Sequence, residues 1–157
     1  MTRVLLLLVL IGSWTAAGAQ TREQWIEWGE RVHGGFGTLI ALGIRVGQDA
    51  QKRLSAGQRE LEVTYFDGPA TPCACVADGV MIAVSSSPGQ GTLRVAAEKA
   101  PAGLLARIVF RHRKSGAAAV YRIPIAVMPR MAEWNKTLEA PGRYDAVMAA
   151  DALYTVE

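Results

Sequence analysis

Cys73 and Cys75 are the only two cysteines in the chain, and Asp78 follows one helical turn later. Two soft sulfur donors one residue apart, close to a carboxylate, suit zinc or a copper ion. His33, followed by Gly34-Gly35, supplies an imidazole far upstream. Together His33, Cys73 and Cys75 form a three-donor set, with Asp78 or water as the fourth ligand that zinc needs. Sulfurs at positions i and i+2 close a small ring that staples almost nothing, so the spacing argues against a structural disulfide. A thiolate at a helix N-terminus gains from the helix dipole, which leaves redox reactivity open. The plainer alternatives are a histidine that satisfies backbone carbonyls at a helix boundary and two small, partly buried residues at a helix start.

Other segments carry weaker signals. Ser85 to Ser87 and Gly89-Gln90-Gly91 resemble an anion nest, but without a P-loop lysine they read as a tight turn. Arg111, His112, Arg113 and Lys114 read as a solvated hairpin tip, because alternating strand residues point to opposite faces. Trp25, Trp28 and Trp134 sit at helical core spacing and read as packing anchors. Glu60 and Glu62 fall on the outer face of a strand, and no nucleophile–base pair or catalytic carboxylate pair stands out.

The elements that hold these residues follow a leader-like start. Arg3, the apolar run from Val4 to Ile11 and Ala17-Gly18-Ala19 have the form of a signal peptide over residues 1–19. The run is far shorter than the roughly 20 residues of a membrane span, so no membrane insertion is expected after cleavage. The expected mature chain, residues 20–157, is exported to a periplasm or secreted, and its size fits one domain. Loss of Arg3 takes the formal charge from +3 to +2, too little to argue for nucleic acid. Half the residues are apolar, enough for a single packed core.

Thr21 to Gln24 has the form of a capping box, and Trp25, Trp28, Gly29 and Val32 continue a helix over Arg22 to Val32. Phe36 to Leu54 has a second helical period, narrow where Gly43, Gly47 and Ala50 fall on one side. That narrow face predicts close approach of a strand of the same sheet or of a second subunit. Gln58 to Phe66 reads as a strand, while Cys75 to Val84 is apolar and of ambiguous type. Thr92 to Ala97 is a further strand, and Leu104 to Arg113 with Ala117 to Val127 form a hairpin. Met131 to Leu138 and Arg143 to Ala150 read as helices separated by Pro141-Gly142, with a short strand over Leu153 to Val156. The pattern is α+β, an antiparallel sheet packed against N-terminal and C-terminal helices in a single domain.

With these segments in place, the chain resembles the E-type accessory-subunit family of formylmethanofuran dehydrogenase. His33-Gly34 with Ala41 to Gly47, Cys75 to Val80 with Gly89 to Leu93, and Arg113 to Gly116 ahead of Val120-Tyr121-Arg122 carry the likeness. The ending from Ala152 to Val156 extends it over nearly the whole mature chain. The resemblance implies an α+β core, association as a homodimer and metal binding at the His and Cys motifs. The chain departs from the family pattern at Gly35, Gly37 and Ser86, which stand where the pattern has a histidine and two cysteines. His33, Cys75 and Asp78 remain with Arg45, and Cys73 lies outside the matched positions. The expectation is an exported binding module that holds zinc, another transition metal or a small ligand near His33 and Cys73/Cys75. The alternatives are a small thiol-dependent enzyme using Cys75, oriented by His33, and a dimerising scaffold that has lost its site.

Overall fold

Thr21 caps the first helix as its side chain dictates. Its hydroxyl accepts from the Gln24 N–H at 3.3 Å, and its own N–H donates to Gln24 Oε1 at 2.9 Å. The computed structural model describes residues 20–157, so the expected signal peptide lies outside the described residues. The helices are α1 (Arg22–His33), α2 (Thr38–Arg53), α3 (Cys75–Val84), α4 (Met128–Thr137) and α5 (Ala140–Ala149). The strands are β1 (Leu61–Asp67), β2 (Leu93–Val95), β3 (Leu104–His112), β4 (Ala118–Pro124) and β5 (Thr155–Val156). The α+β class and the helix-flanked sheet match the sequence expectation.

The sheet runs β2-β1-β3-β4-β5 and is mixed. β1 pairs in parallel with β2, while β3, β4 and β5 join antiparallel. The antiparallel sheet read from the sequence holds for every pair but this one, β1 with β2. The segment of ambiguous type, Cys75–Val84, is a helix that crosses from the end of β1 to the start of β2, and such a crossover returns the chain parallel. Along β1, Leu61, Val63 and Tyr65 are buried and alternate with residues more open to solvent. Tyr65 stands opposite Ile108, and Ile108 opposite Tyr121, so one buried row crosses three strands. This row shares a core with Ile40 and Ile44 of α2 and Val80 of α3. The Tyr121 hydroxyl donates to Asp49 Oδ2 at 2.6 Å, which ties the sheet to α2.

The narrow face of α2 does meet a close neighbour, and that neighbour is α3. A Cβ on Gly43 would collide with the Val76 carbonyl and lie 2.9 Å from the Gly79 Cα. A Cβ on Gly79 would collide in turn with the Ile40 carbonyl. The expected strand or second subunit is therefore replaced by a helix of the same chain. Its backbone sits where side chains would stand.

Two boundaries moved for local reasons, and one helix start is capped from afar. Pro141 and Gly142 do not separate two helices: Pro141 lies in the first turn of α5, where its missing N–H costs nothing. The second hairpin strand ends at Pro124, and Ile125–Val127 tightens into a 3₁₀ turn leading directly into α4. α2 has no side-chain cap of its own at Gly37, so α4 supplies one: Asn135 Oδ1 accepts from the Thr38 N–H at 3.0 Å. The Thr38 hydroxyl donates to the Met131 carbonyl at 3.2 Å and completes the splice.

The glycine crossing makes a sharp prediction. Gly43→Ala should lose about 1–3 kcal/mol by overpacking, measured by urea unfolding. Gly35→Ala, with no atom within 4 Å of its added Cβ, should stay within about 0.5 kcal/mol of the parent. Equal stability of the two variants would contradict the crossing. For the borrowed cap, Asn135→Ala should cost roughly 0.5–2 kcal/mol, as loss of an N-cap acceptor does. Amide exchange at Thr38 should speed up while that at the core strand β3 keeps its order relative to global unfolding.

Candidate functional site

His33 is the last residue of α1, and Gly34 reverses the chain beyond it in the left-handed conformation, φ 87°. Cys75 opens α3, and Asp78 lies one turn along the same helix face. The crossing of α2 and α3 brings that face against the end of α1. His33 Nδ1 and Asp78 Oδ2 lie 2.7 Å apart, and both side chains are about one-third exposed, 34% and 35%. With Asp78 as acceptor, Nδ1 carries the proton and Nε2 is the imidazole nitrogen left for a ligand. Asp78, expected with water as a candidate fourth ligand, hydrogen-bonds the His33 ring.

Cys73 and Cys75 are joined by a disulfide. The spacing argued against a structural disulfide, and the bond is nonetheless formed. Ala74 bends the chain at φ −77°, ψ 27°, and the two Cα atoms come to 5.3 Å, inside the range that a disulfide spans. The spacing argument keeps its other half: a ring across three residues constrains very little of the chain. Both cysteines are partly exposed, and Cys75 lies in the first turn of α3, which no side chain caps.

His33, Cys73 and Cys75 line one cleft of about 290 Å³ between the end of α1, the start of α3 and α4. Its other walls include Met128, Met131 and Asn135 of α4. These three were not among the sequence candidates. Met128 and Met131 at i and i+3, and Asn135 at i+4 from Met131, share a helix face, but the expected helix began too late to show it. A second hollow on the far side of His33 is bounded by Gly34, Gly35, Gly37, Asn135 and Arg143. Arg143 donates to the Phe36 carbonyl at 3.1 Å and to the Asn135 carbonyl at 2.9 Å, which fixes this wall.

The positions that depart from the family pattern separate clearly. Gly37 lines the cleft itself and Gly35 the adjoining hollow, so their missing side chains leave space beside His33. Ser86 is elsewhere: it follows the far end of α3, about 16 Å along the helix direction from Cys75, and is buried with no partner for its hydroxyl. Arg45 is also outside the cleft. It donates to the Val147 carbonyl at 2.6 Å and to the Ala150 carbonyl, closing the C-terminal end of α5. Tyr65, beneath α3, has a buried hydroxyl without a partner, and burial together with the charge of Asp67 pushes its ionisation up.

The disulfide decides what the cleft can hold. Among the described residues, no three His, Cys, Asp or Glu side chains are grouped to hold a metal ion. With the sulfurs bonded to each other, His33 keeps one free nitrogen and the donor set does not fit a metal. The fit needs the disulfide reduced, because a thiolate is the ligand form of cysteine.

The remaining sequence candidates take structural places. His112 is buried, and its Nδ1 accepts from the Lys114 and Ser115 N–H groups, each at 3.2 Å, organising the hairpin turn. Lys114 pairs with Glu60 at 2.9 Å, so the basic cluster is a solvated tip with its own carboxylate. Trp25 is buried and meets Trp28 edge-on at 5.2 Å, while Trp134 packs beneath Arg130. Ser87 caps the short turn at Pro88–Gln90 through the Gln90 N–H, as a turn residue would.

No curated protein matches the chain. A family model described as FmdE, molybdenum formylmethanofuran dehydrogenase operon, matches residues 32–153. The matched region takes in His33, the cysteine segment, the α2–α3 crossing and the α4 wall of the cleft. On that extent the chain belongs to the FmdE family.

Proposed function

We propose that this chain is an exported binding module that takes a transition-metal ion, zinc in the first place, when Cys73 and Cys75 are reduced. The observation that carries the reading is that His33, Cys73 and Cys75, from elements distant in sequence, line one cleft. His33 would present Nε2 and the two cysteines their thiolates, with water or a small ligand in the remaining position. The carboxylate on Nδ1 has the arrangement that fixes ring orientation and raises donor basicity in metal sites. Oxidation to the disulfide removes two of the three donors at once. The oxidising conditions expected after export therefore favour the metal-free form, and the module binds where a reductant is present.

Equilibrium dialysis against zinc, on protein purified without metal-affinity steps, tests this directly. The reduced protein should take up about one equivalent, and the oxidised protein should take up none at the same free zinc. Asp78→Asn should weaken the reduced form by roughly 10–100-fold, as loss of a histidine-orienting carboxylate does. Zinc uptake by the reduced protein that is unchanged by Cys75→Ser and His33→Ala would sink the proposal.

A further inference from the structure

We infer that the Cys73–Cys75 disulfide is a reactive centre that exchanges with dithiols of peptides or unfolded proteins. This goes beyond metal binding and does not rest on it. Three features on different levels converge. The bond closes a ring of only three residues at the edge of a core built from other side chains, so its contribution through chain entropy is small. It lies at the wall of an open cleft, and both cysteines are partly exposed, so an incoming sulfur has access. Cys75 occupies the first turn of α3, whose N–H groups have no side-chain cap, so the helix end favours negative charge on that sulfur. Cys73 precedes the helix and lacks that support.

The asymmetry assigns the two sulfurs their parts. A substrate thiolate attacks Cys73 Sγ, the Sγ–Sγ bond breaks, and Cys75 departs as the thiolate. The mixed disulfide between substrate and Cys73 is resolved by the second substrate thiol. That sulfur attacks the substrate's own sulfur, the bond to Cys73 breaks, and Cys73 leaves as a thiolate. The substrate dithiol loses two electrons and two protons and becomes a disulfide. Cys73 and Cys75 gain both and become a dithiol. A small-molecule disulfide such as oxidised glutathione restores the starting form by the same steps in reverse.

The cleft also selects among dithiols. Beside the disulfide its wall is apolar, with Leu39, Ile40, Met128 and Met131. A cysteine flanked by an apolar residue can seat that neighbour against the partly exposed Met128, whose flexible thioether adapts to varied shapes, with Leu39, Ile40 and Met131 buried behind it. The substrate class is therefore a peptide segment carrying two cysteines and an adjacent large apolar side chain.

The test uses the oxidised full-length mature protein, a reduced two-cysteine peptide and a chelator, so that metal binding plays no part. Alkylation and mass analysis follow both partners. One peptide disulfide should form for each protein disulfide lost, at least about tenfold faster than with an equal concentration of oxidised glutathione. Cys75→Ser, offered the oxidised peptide, should accumulate a mixed disulfide through Cys73, because the resolving sulfur is missing. Circular dichroism checks that this variant is folded. A wild-type rate below that tenfold margin overturns the proposal whatever the variant does. Zinc uptake by the reduced protein with slow exchange would leave the metal reading standing and remove this one; the converse result would do the opposite.

Discussion

The site depends on a backbone contact between two helices. Gly43 and Gly79 let α2 and α3 approach until each occupies the space of the other's absent Cβ. Glycine in a helix costs about 1 kcal/mol against alanine, so two such residues facing each other persist only where close approach returns more in packing. Here the return is positional as well. Pressing α3 onto α2 carries its first turn, with Cys75 and Asp78, toward the end of α1 that carries His33. The contact also explains why α3 is largely apolar: it packs on α2 and α1 and shares the core with the sheet, and Val76, Val80, Ala83 and Val84 are all buried.

A second set of contacts fixes the opposite wall. α4 gives Asn135 to the start of α2 and receives the Thr38 hydroxyl on its Met131 carbonyl. Arg143 of α5 binds the carbonyls of Phe36 and Asn135, and Arg45 of α2 binds those of Val147 and Ala150. The guanidinium groups thus take up carbonyls near the C-terminal ends of α4 and α5, which lack partners in their own helices, and the Phe36 carbonyl ahead of α2. The cleft is accordingly bounded by rigid elements. His33 is set by a carboxylate on a neighbouring helix, and its glycine-rich surroundings leave room beside it.

Much of this was legible in the sequence where a local rule decides the outcome. The capping box at Thr21, the 3.6-residue period of α2 and the β3–β4 hairpin each rest on side chains within a few positions of one another. The family likeness and the α+β class were legible for the same reason. What failed needed knowledge of distant neighbours. Gly43 announced a close approach, but only the fold shows that α3 makes it. The direction of β2 depended on whether Cys75–Val84 was helix or strand, which its continuous apolar pattern left undecided. The α4 wall escaped because Met128 and Asn135 carry no signal until the helix is placed against His33.

The cysteine pair shows the same division within one motif. Spacing alone gives the small structural value of a ring closed between i and i+2, and leaves open whether the bond forms. Structural value and chemical occurrence are separate questions. Ala74 turns the chain so that the sulfurs meet, whether or not the bond stabilises the fold. Two cysteines joined across one residue form a pair with two chemical states. In one state the sulfurs are bound to each other; in the other they are free for a ligand. The balance between them is set by the thiols and disulfides that can reach the cleft.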